Sequence, residues 1–199
     1  TQIDVNSYKQ LENPASSTLE IKGDFYDQLK VFTLKEGITI NVLVQFIWHK
    51  LLHVYSNSLK SIVGTTVSGR DLPIDGIIES VGLYINTLPL IINWENNNSI
   101  KVQLHEIQKK ITELNTHSFA ELAKLQKDGE RIFHSLFVYE NYPAPKGGND
   151  SAQISFRNSI EKVDYPLSVI AYEQDNSLTI SLNYDSICLT ENKAQQHLV

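Results

Sequence analysis

Hydrophobic positions along the 199-residue chain switch repeatedly between a period of two and the helical period, and the elements follow from those switches. Leu19 and Ile21 alternate with polar neighbours and predict a short strand. Phe25, Leu29 and Phe32 then recur at helical spacing, and Gly37 ends that helix. Thr39 is placed to cap a second helix running to about Tyr55. Its apolar positions, from Ile40 through Val44 and Trp48 to Leu52, cover nearly the whole circumference, which predicts burial on most sides. Ser61 to Val67 is β-branched and reads as a strand, followed by a loop through Gly69, Asp71 and Gly76, and a second strand from Tyr84 to Trp94. Ser99 caps a helix whose Ile100, Leu104, Ile107, Ile111 and Leu114 form one apolar stripe. Ser118 with Glu121 has the spacing of a capping box for a shorter helix bearing Phe119, Leu122 and Leu125. Strands are predicted from Phe133 to Tyr142 and near 152–160, 165–173 and 177–184, with a loop at Lys146 to Asn149 and a final helix capped by Thr190.

The predicted order is βααββααββββα. Strand pairs stand beside helix pairs, so the fold class is α/β with a mixed sheet flanked by helices, and not a repeated βαβ unit. Residues 1–15 are polar and irregular and read as a linker, which leaves 16–199 as one domain.

Composition narrows the classes of function. The net charge of −6 argues against phosphate backbones and anionic membranes as partners. A single cysteine, Cys188, in apolar surroundings points to a buried, inert thiol and a reducing, cytoplasmic compartment. No apolar run approaches the roughly 20 residues of a membrane span, and no signal peptide opens the chain. His49 and His53 lie four apart, a spacing that can hold a metal, but no glutamate follows the first and no third ligand is apparent. Hydrogen-bonded or surface histidines, and no metal site, are the expectation. Nucleophile-elbow, phosphate-loop and dinucleotide fingerprints are missing, and neither His105, His117, His134 nor His197 has a carboxylate–nucleophile arrangement beside it in sequence. Lys109 and Lys110 read as a solvated helix face.

Three segments carry more. Val63-Gly64-Thr65-Thr66-Val67-Ser68-Gly69-Arg70 runs a strand into a glycine-arginine turn. Val81-Gly82-Leu83-Tyr84-Ile85-Asn86-Thr87-Leu88-Pro89 sets one amide inside an apolar strand. The third is Phe133-His134-Ser135-Leu136-Phe137-Val138-Tyr139-Glu140-Asn141-Tyr142-Pro143. In order and spacing these resemble the second half of condensation domains of non-ribosomal peptide synthetases, and Tyr165-Pro166-Leu167 and Leu182-Asn183-Tyr184-Asp185 look like the closing strands of that family. The resemblance spans about residues 18–199 and rests on co-occurrence more than on any one segment.

The resemblance implies the C-terminal lobe of a fold similar to chloramphenicol acetyltransferase: two lobes in a V with a tunnel between them. Carrier domains dock at opposite mouths, each delivering a thioester on a phosphopantetheine arm, and an acceptor amine attacks the donor thioester. It implies four partners: an N-terminal lobe of the same domain, donor and acceptor peptidyl carrier domains, and an adenylation domain in the same polypeptide. No cofactor is expected to bind this chain directly. The family's His-His-x-x-x-Asp-Gly motif does not occur in the sequence, so the resemblance places no catalytic residue in this chain, starts it just after the lobe boundary and implies that it is inactive alone. Ser68, Gly69 and Arg70 would belong to a loop crossing to the other lobe, and Tyr84, Asn86 and Thr87 would lie near the tunnel. On its chemistry alone, Asn86 could equally satisfy a neighbouring backbone, and Arg70-Asp71 could be a surface pair. The Gly82–Pro89 segment favours peptide-bond condensation over epimerization or heterocyclization. The rival readings are a non-catalytic module that recruits carrier or other partners and, more weakly, half of an epimerization domain.

Overall fold

A computed structural model describes residues 8–77, 79–94, 98–126, 130–140 and 164–198. The elements are β1 (Pro14–Lys22), α1 (Asp24–Glu36), α2 (Ile40–Ser56), β2 (Lys60–Ser68), β3 (Ile85–Asn93), α3 (Ile100–Thr116), α4 (Leu122–Leu125), β4 (Ser135–Glu140), β5 (Leu167–Gln174), β6 (Ser177–Asp185) and α5 (Glu191–Leu198). The strand predicted near 152–160 and the loop at 146–149 lie outside the described residues. Among the described residues six strands form one mixed sheet in the order β1-β6-β5-β4-β2-β3. The β4 pairings to β2 and β5 are parallel, and the remaining three are antiparallel. This is the predicted class. Among the described residues no single helix is long and apolar enough to cross a membrane.

Local signals set most boundaries. Gly37, at φ +66°, closes α1 with its N–H on the carbonyls of Leu34 and Thr33, in a conformation that costs a residue with Cβ more. The Thr39 hydroxyl accepts from Val42 N and starts α2, and the Ser99 hydroxyl does the same for α3 through Val102 N. The capping box expected at Ser118 does not form. The helix there is one turn beginning after Glu121, and the Ser118 hydroxyl is buried with no hydrogen-bond partner among the described residues.

α2 organises the interior. Ile40, Val44 and Trp48 enter one apolar cluster with Val63, Phe137, Val169 and Leu182. Val42 and Phe46 enter a second with Leu90, Ile92, Leu104 and Ile107. Strand register puts both clusters on the same face of the sheet, because paired residues such as Val63 and Leu90 point the same way. The burial of α2 is less complete than its composition predicts: Ile47, Val54 and Tyr55 are exposed. α1 also departs from its pattern. Phe25 is exposed, while Tyr26 and Thr33 are buried, because α1 packs on β1 and α2 and Tyr26 reaches in to β5, where it donates to Glu173 at 2.5 Å. Burial and that bond raise the Tyr26 pKa to about 12. On the opposite face of β2, Gly64 leaves room for the Phe133 ring; a Cβ there would lie 2.1 Å from it.

β1 starts at Pro14, within the stretch that reads as irregular, and pairs along its whole length with β6. Asp185, fully buried at the end of β6, holds the chain ahead of β1. Its Oδ2 accepts from Glu12 N at 2.9 Å and from the Tyr8 hydroxyl at 3.2 Å, and its Oδ1 from Ile187 N at 3.1 Å. Burial by itself would raise the carboxyl pKa, but these donors together hold it below the ordinary carboxylate value.

A depressed carboxyl stabilises the fold above its unfolded pKa, about 4, and that stability is lost as the pH falls through the folded value. Urea unfolding as a function of pH is therefore expected to show an acid limb below about pH 4 that Asp185→Asn flattens. The same variant is expected to cost about 1–3 kcal/mol at neutral pH, since it weakens three hydrogen bonds to a buried charge.

Candidate functional site at the β2–β3 corner

Ser68, Gly69 and Arg70 leave β2, and Tyr84, Asn86 and Thr87 enter β3. Antiparallel register sets Thr66 opposite Thr87, Val67 opposite Asn86 and Ser68 opposite Ile85. The two groups of candidate residues, separate in sequence, thus form one corner of the sheet.

The turn is built from short-range hydrogen bonds. The Ser68 hydroxyl accepts from Arg70 N at 3.3 Å, capping a 3-10 turn over Gly69–Asp71. Gly69 N donates to Tyr84 O at 2.8 Å, and a Cβ on Gly69 would stand 2.8 Å from that oxygen. Only glycine lets the two strands close this tightly. Arg70 then turns inward over the loop. Its guanidinium donates to the carbonyls of Ile77 at 2.8 Å, Ser80 at 3.0 Å and Gly82 at 3.4 Å, and lies 4.5 Å over the Tyr84 ring. The Tyr84 hydroxyl meets the Ser80 hydroxyl at 2.6 Å. Arg70 and Tyr84 together hold the loop's backbone in one shape. The loop presents apolar side chains outward: Val81 and Leu83 are almost wholly exposed, and Ile85 is more than half exposed.

Asn86 uses its whole amide on backbone. Nδ2 donates to Ser118 O at 2.8 Å and Ala120 O at 2.7 Å, and Oδ1 accepts from Thr87 N at 2.8 Å. Both donors and the acceptor are engaged, so Asn86 fastens the start of β3 to the segment after α3. The exposed Phe119 lies on the segment that Asn86 holds.

The histidine pair on α2 divides. His49 is fully buried, with Nδ1 2.8 Å from the Ser61 hydroxyl, which also accepts from Trp94 Nε1 at 2.9 Å. Burial, and then the Lys110 ammonium, push its pKa down to about 3, so it is neutral at ordinary pH. His53 Nδ1 faces Ser58 O at 2.6 Å, and its ring stacks on Trp94 at 5.2 Å. Among the described residues no group of three or more His, Cys, Asp or Glu is arranged to hold a metal. Cys188 is buried, and burial followed by the nearby Asp185 raises its thiol pKa.

Sequence reasoning missed Arg131. Its guanidinium donates to Asp164 O at 2.6 Å and Lys9 O at 3.0 Å and lies between the rings of Tyr8 and Tyr165. Backbone acceptors carry no residue-type signal, so nothing near Arg131 in sequence announces them.

Comparison with known proteins bears on the whole chain. A protein-family model described as Condensation domain matches residues 6–198. The chain is 36% identical over 197 residues to N-(5-amino-5-carboxypentanoyl)-L-cysteinyl-D-valine synthase of Penicillium rubens, covering 93% of this chain and 5% of that protein. It is 34% identical over 194 residues to the synthase of the same name from Amycolatopsis lactamdurans, covering 92% and 5%. Among solved structures it resembles the condensation domain from Monacolin K polyketide synthase MokA, with a TM-score of 0.76 and 16% identity over 98% of this chain and 47% of that one. The first condensation domain of the CDA synthetase gives 0.72 and 14%, over 96% and 44%. The chain thus spans 5% of the length of these curated relatives and less than half of these solved domains. At such identities the structural likeness carries the fold.

Removing the guanidinium tests the loop. Arg70→Ala is expected to speed amide exchange at Ile77, Glu79 and Ser80 by about tenfold or more, the equivalent of losing roughly 1.5 kcal/mol of charge-assisted bonding, while amides of the β2 core keep their protection. Arg70→Lys is not expected to restore it, since an ammonium cannot reproduce the planar fork.

Proposed function

This chain belongs to the condensation-domain family, and we propose that it is the C-terminal half of a peptide-bond-forming condensation domain in a non-ribosomal peptide synthetase. In this reading it forms one wall of a tunnel closed by an N-terminal lobe. An acceptor aminoacyl amine enters from one mouth and a donor thioester from the other, each on the phosphopantetheine arm of a carrier domain. The amine nitrogen attacks the thioester carbonyl, the new C–N bond forms as the C–S bond breaks, and the donor's thiol leaves. Holding two tethered reactants in line removes much of the entropic barrier to such an encounter, by up to roughly 7–11 kcal/mol in favourable intramolecular cases.

The observation that carries the proposal is the corner described above. Ser68, Gly69 and Arg70, assigned to a crossing loop, and Tyr84, Asn86 and Thr87, assigned to the tunnel, meet at one end of β2 and β3. The loop between them is pinned by Arg70 while Val81 and Leu83 project into solvent. An ordered backbone that presents bare apolar side chains suits a surface covered by another body. The roles differ residue by residue. Gly69 permits the tight closure, Arg70 and Tyr84 shape the crossing loop, and Asn86 fixes the segment at 118–120 against the tunnel-facing end of β3. Adenylation and carrier domains of the same polypeptide would supply the loaded thioesters.

In the full-length synthetase, Asn86→Ala is expected to slow condensation about ten- to a hundredfold at roughly 1.4 kcal/mol per decade, with little change in the apparent affinity for carriers. Unchanged turnover in a correctly folded variant would confine Asn86 to a structural role. The chain alone, incubated with donor and acceptor aminoacyl carriers, is expected to form no dipeptidyl product by mass spectrometry. Product at an enzymatic rate would overturn the half-enzyme reading.

A further inference from the structure

A cavity of about 630 Å³ opens at the other end of the sheet from Asn86. It lies beside Lys60, where β2 begins, whereas the corner lies beyond Ser68, where β2 ends. At about 3.3 Å per residue, the strand puts the two regions roughly 26 Å apart. The cavity is therefore separate from the corner and plays no part in the reading above.

Much of its wall is apolar. Trp48 and Leu52 of α2, Phe133 and Leu167 ahead of β4 and at the start of β5, and Cys188 and Leu189 ahead of α5 enclose it. Its volume falls within the roughly 300–1,000 Å³ of ordinary small-molecule sites. The charged part of the lining has one sign. In a chain of net charge −6, no aspartate or glutamate among the described residues lines the cavity, whereas Lys60 and Lys193 both do. Both lysines are exposed, and neither has an ion-pair partner among the described residues. His197, also on the lining, has a buried Nδ1 with no hydrogen-bond partner among the described residues. Ser56, Ser58, Thr190 and Gln196 on the lining can hydrogen-bond a neutral head, but two ammonium groups with no carboxylate beside them repel cations and add attraction only for an anion. The cavity favours a molecule with a long apolar body and one negative end.

We propose that this cavity binds a fatty carboxylate, the alkyl chain lying between α2 and α5 and the carboxylate at Lys60 and Lys193. Affinity then depends on chain length through burial of methylenes and on head charge through the two lysines.

Cys188 supplies a direct readout, because it is the chain's only cysteine and it lines the cavity. Decanoate, octanoate and decanol, all below their micellar or solubility limits, are titrated calorimetrically into the chain, and Cys188 alkylation by N-ethylmaleimide is timed with and without each. Decanoate is expected to bind and to slow alkylation at least tenfold. Octanoate is expected to bind about fifteenfold more weakly, at roughly fourfold per buried methylene. Lys60→Gln with Lys193→Gln is expected to weaken decanoate about tenfold while leaving decanol binding and the ligand-free alkylation rate unchanged. Equal affinity for decanol and decanoate, tighter binding of decyltrimethylammonium, or no protection of Cys188 by decanoate would each overturn the proposal. So would protection that tracks self-association of the chain in sedimentation instead of ligand concentration.

Discussion

The structure depends on matching the polar atoms buried along α2 to hydroxyls on the sheet beneath it. An apolar helix can slide or rotate over an apolar sheet at little cost, whereas an unpaired buried polar group costs roughly 1–3 kcal/mol. Gln45 accepts from the Thr65 hydroxyl at 3.1 Å, Trp48 Nε1 donates to the Ser135 hydroxyl at 2.9 Å, and His49 pairs with Ser61 at 2.8 Å. Two of these partners lie on β2 and one on β4, so a single helix is registered against two neighbouring parallel strands. Any shift of α2 by one residue would break all three bonds. The apolar clusters on either side supply most of the burial, and the polar seam selects the one arrangement in which they pack.

That registration fixes the corner in turn. With β2 held by α2, the antiparallel pairing to β3 sets where Asn86 stands, and Asn86 reaches across to the carbonyls of Ser118 and Ala120. Beyond the 3-10 turn at Gly69–Asp71, the described residues of the loop up to Tyr84 form no helix or strand, and Arg70 serves as the loop's core. One guanidinium collecting three carbonyls replaces the ladder that a longer element would have supplied. Its exposed apolar tip is thereby kept from collapsing back on the sheet.

What could be read from the sequence was local. Thr39, Ser99 and Gly37 declare their ends because a cap needs only a few neighbouring residues, and the stripe on α3 names its own buried face through Leu104, Ile107 and Ile111. Readings failed where a distant partner took over. The stripe through Phe25 and Phe32 suggests a buried face, but Glu173 on β5 draws Tyr26 inward instead. Ser118 looks like a cap, but its carbonyl is held by Asn86, thirty-two residues earlier, and its hydroxyl is buried. At the candidate site the residues were legible as a motif. That Asn86 and Arg70 act on backbone carbonyls was not, since any residue can present a carbonyl.

The pairing of β1 with β6 carries a consequence for how the chain is made. Pro14 lies opposite Asp185, so β1 must wait for a partner that follows it by 171 residues in the chain. Contacts so far apart in sequence form late and slowly, because a long loop must be closed before they return any stabilisation. While a ribosome is still extending the chain, β1 has neither its ladder nor the carboxylate that anchors the residues ahead of it. Its alternation of half-buried and exposed positions leaves it only one apolar face to hide during that wait. The edge of this sheet is therefore completed late, and a ribosome paused before residue 177 would hold a sheet whose β1 has no partner.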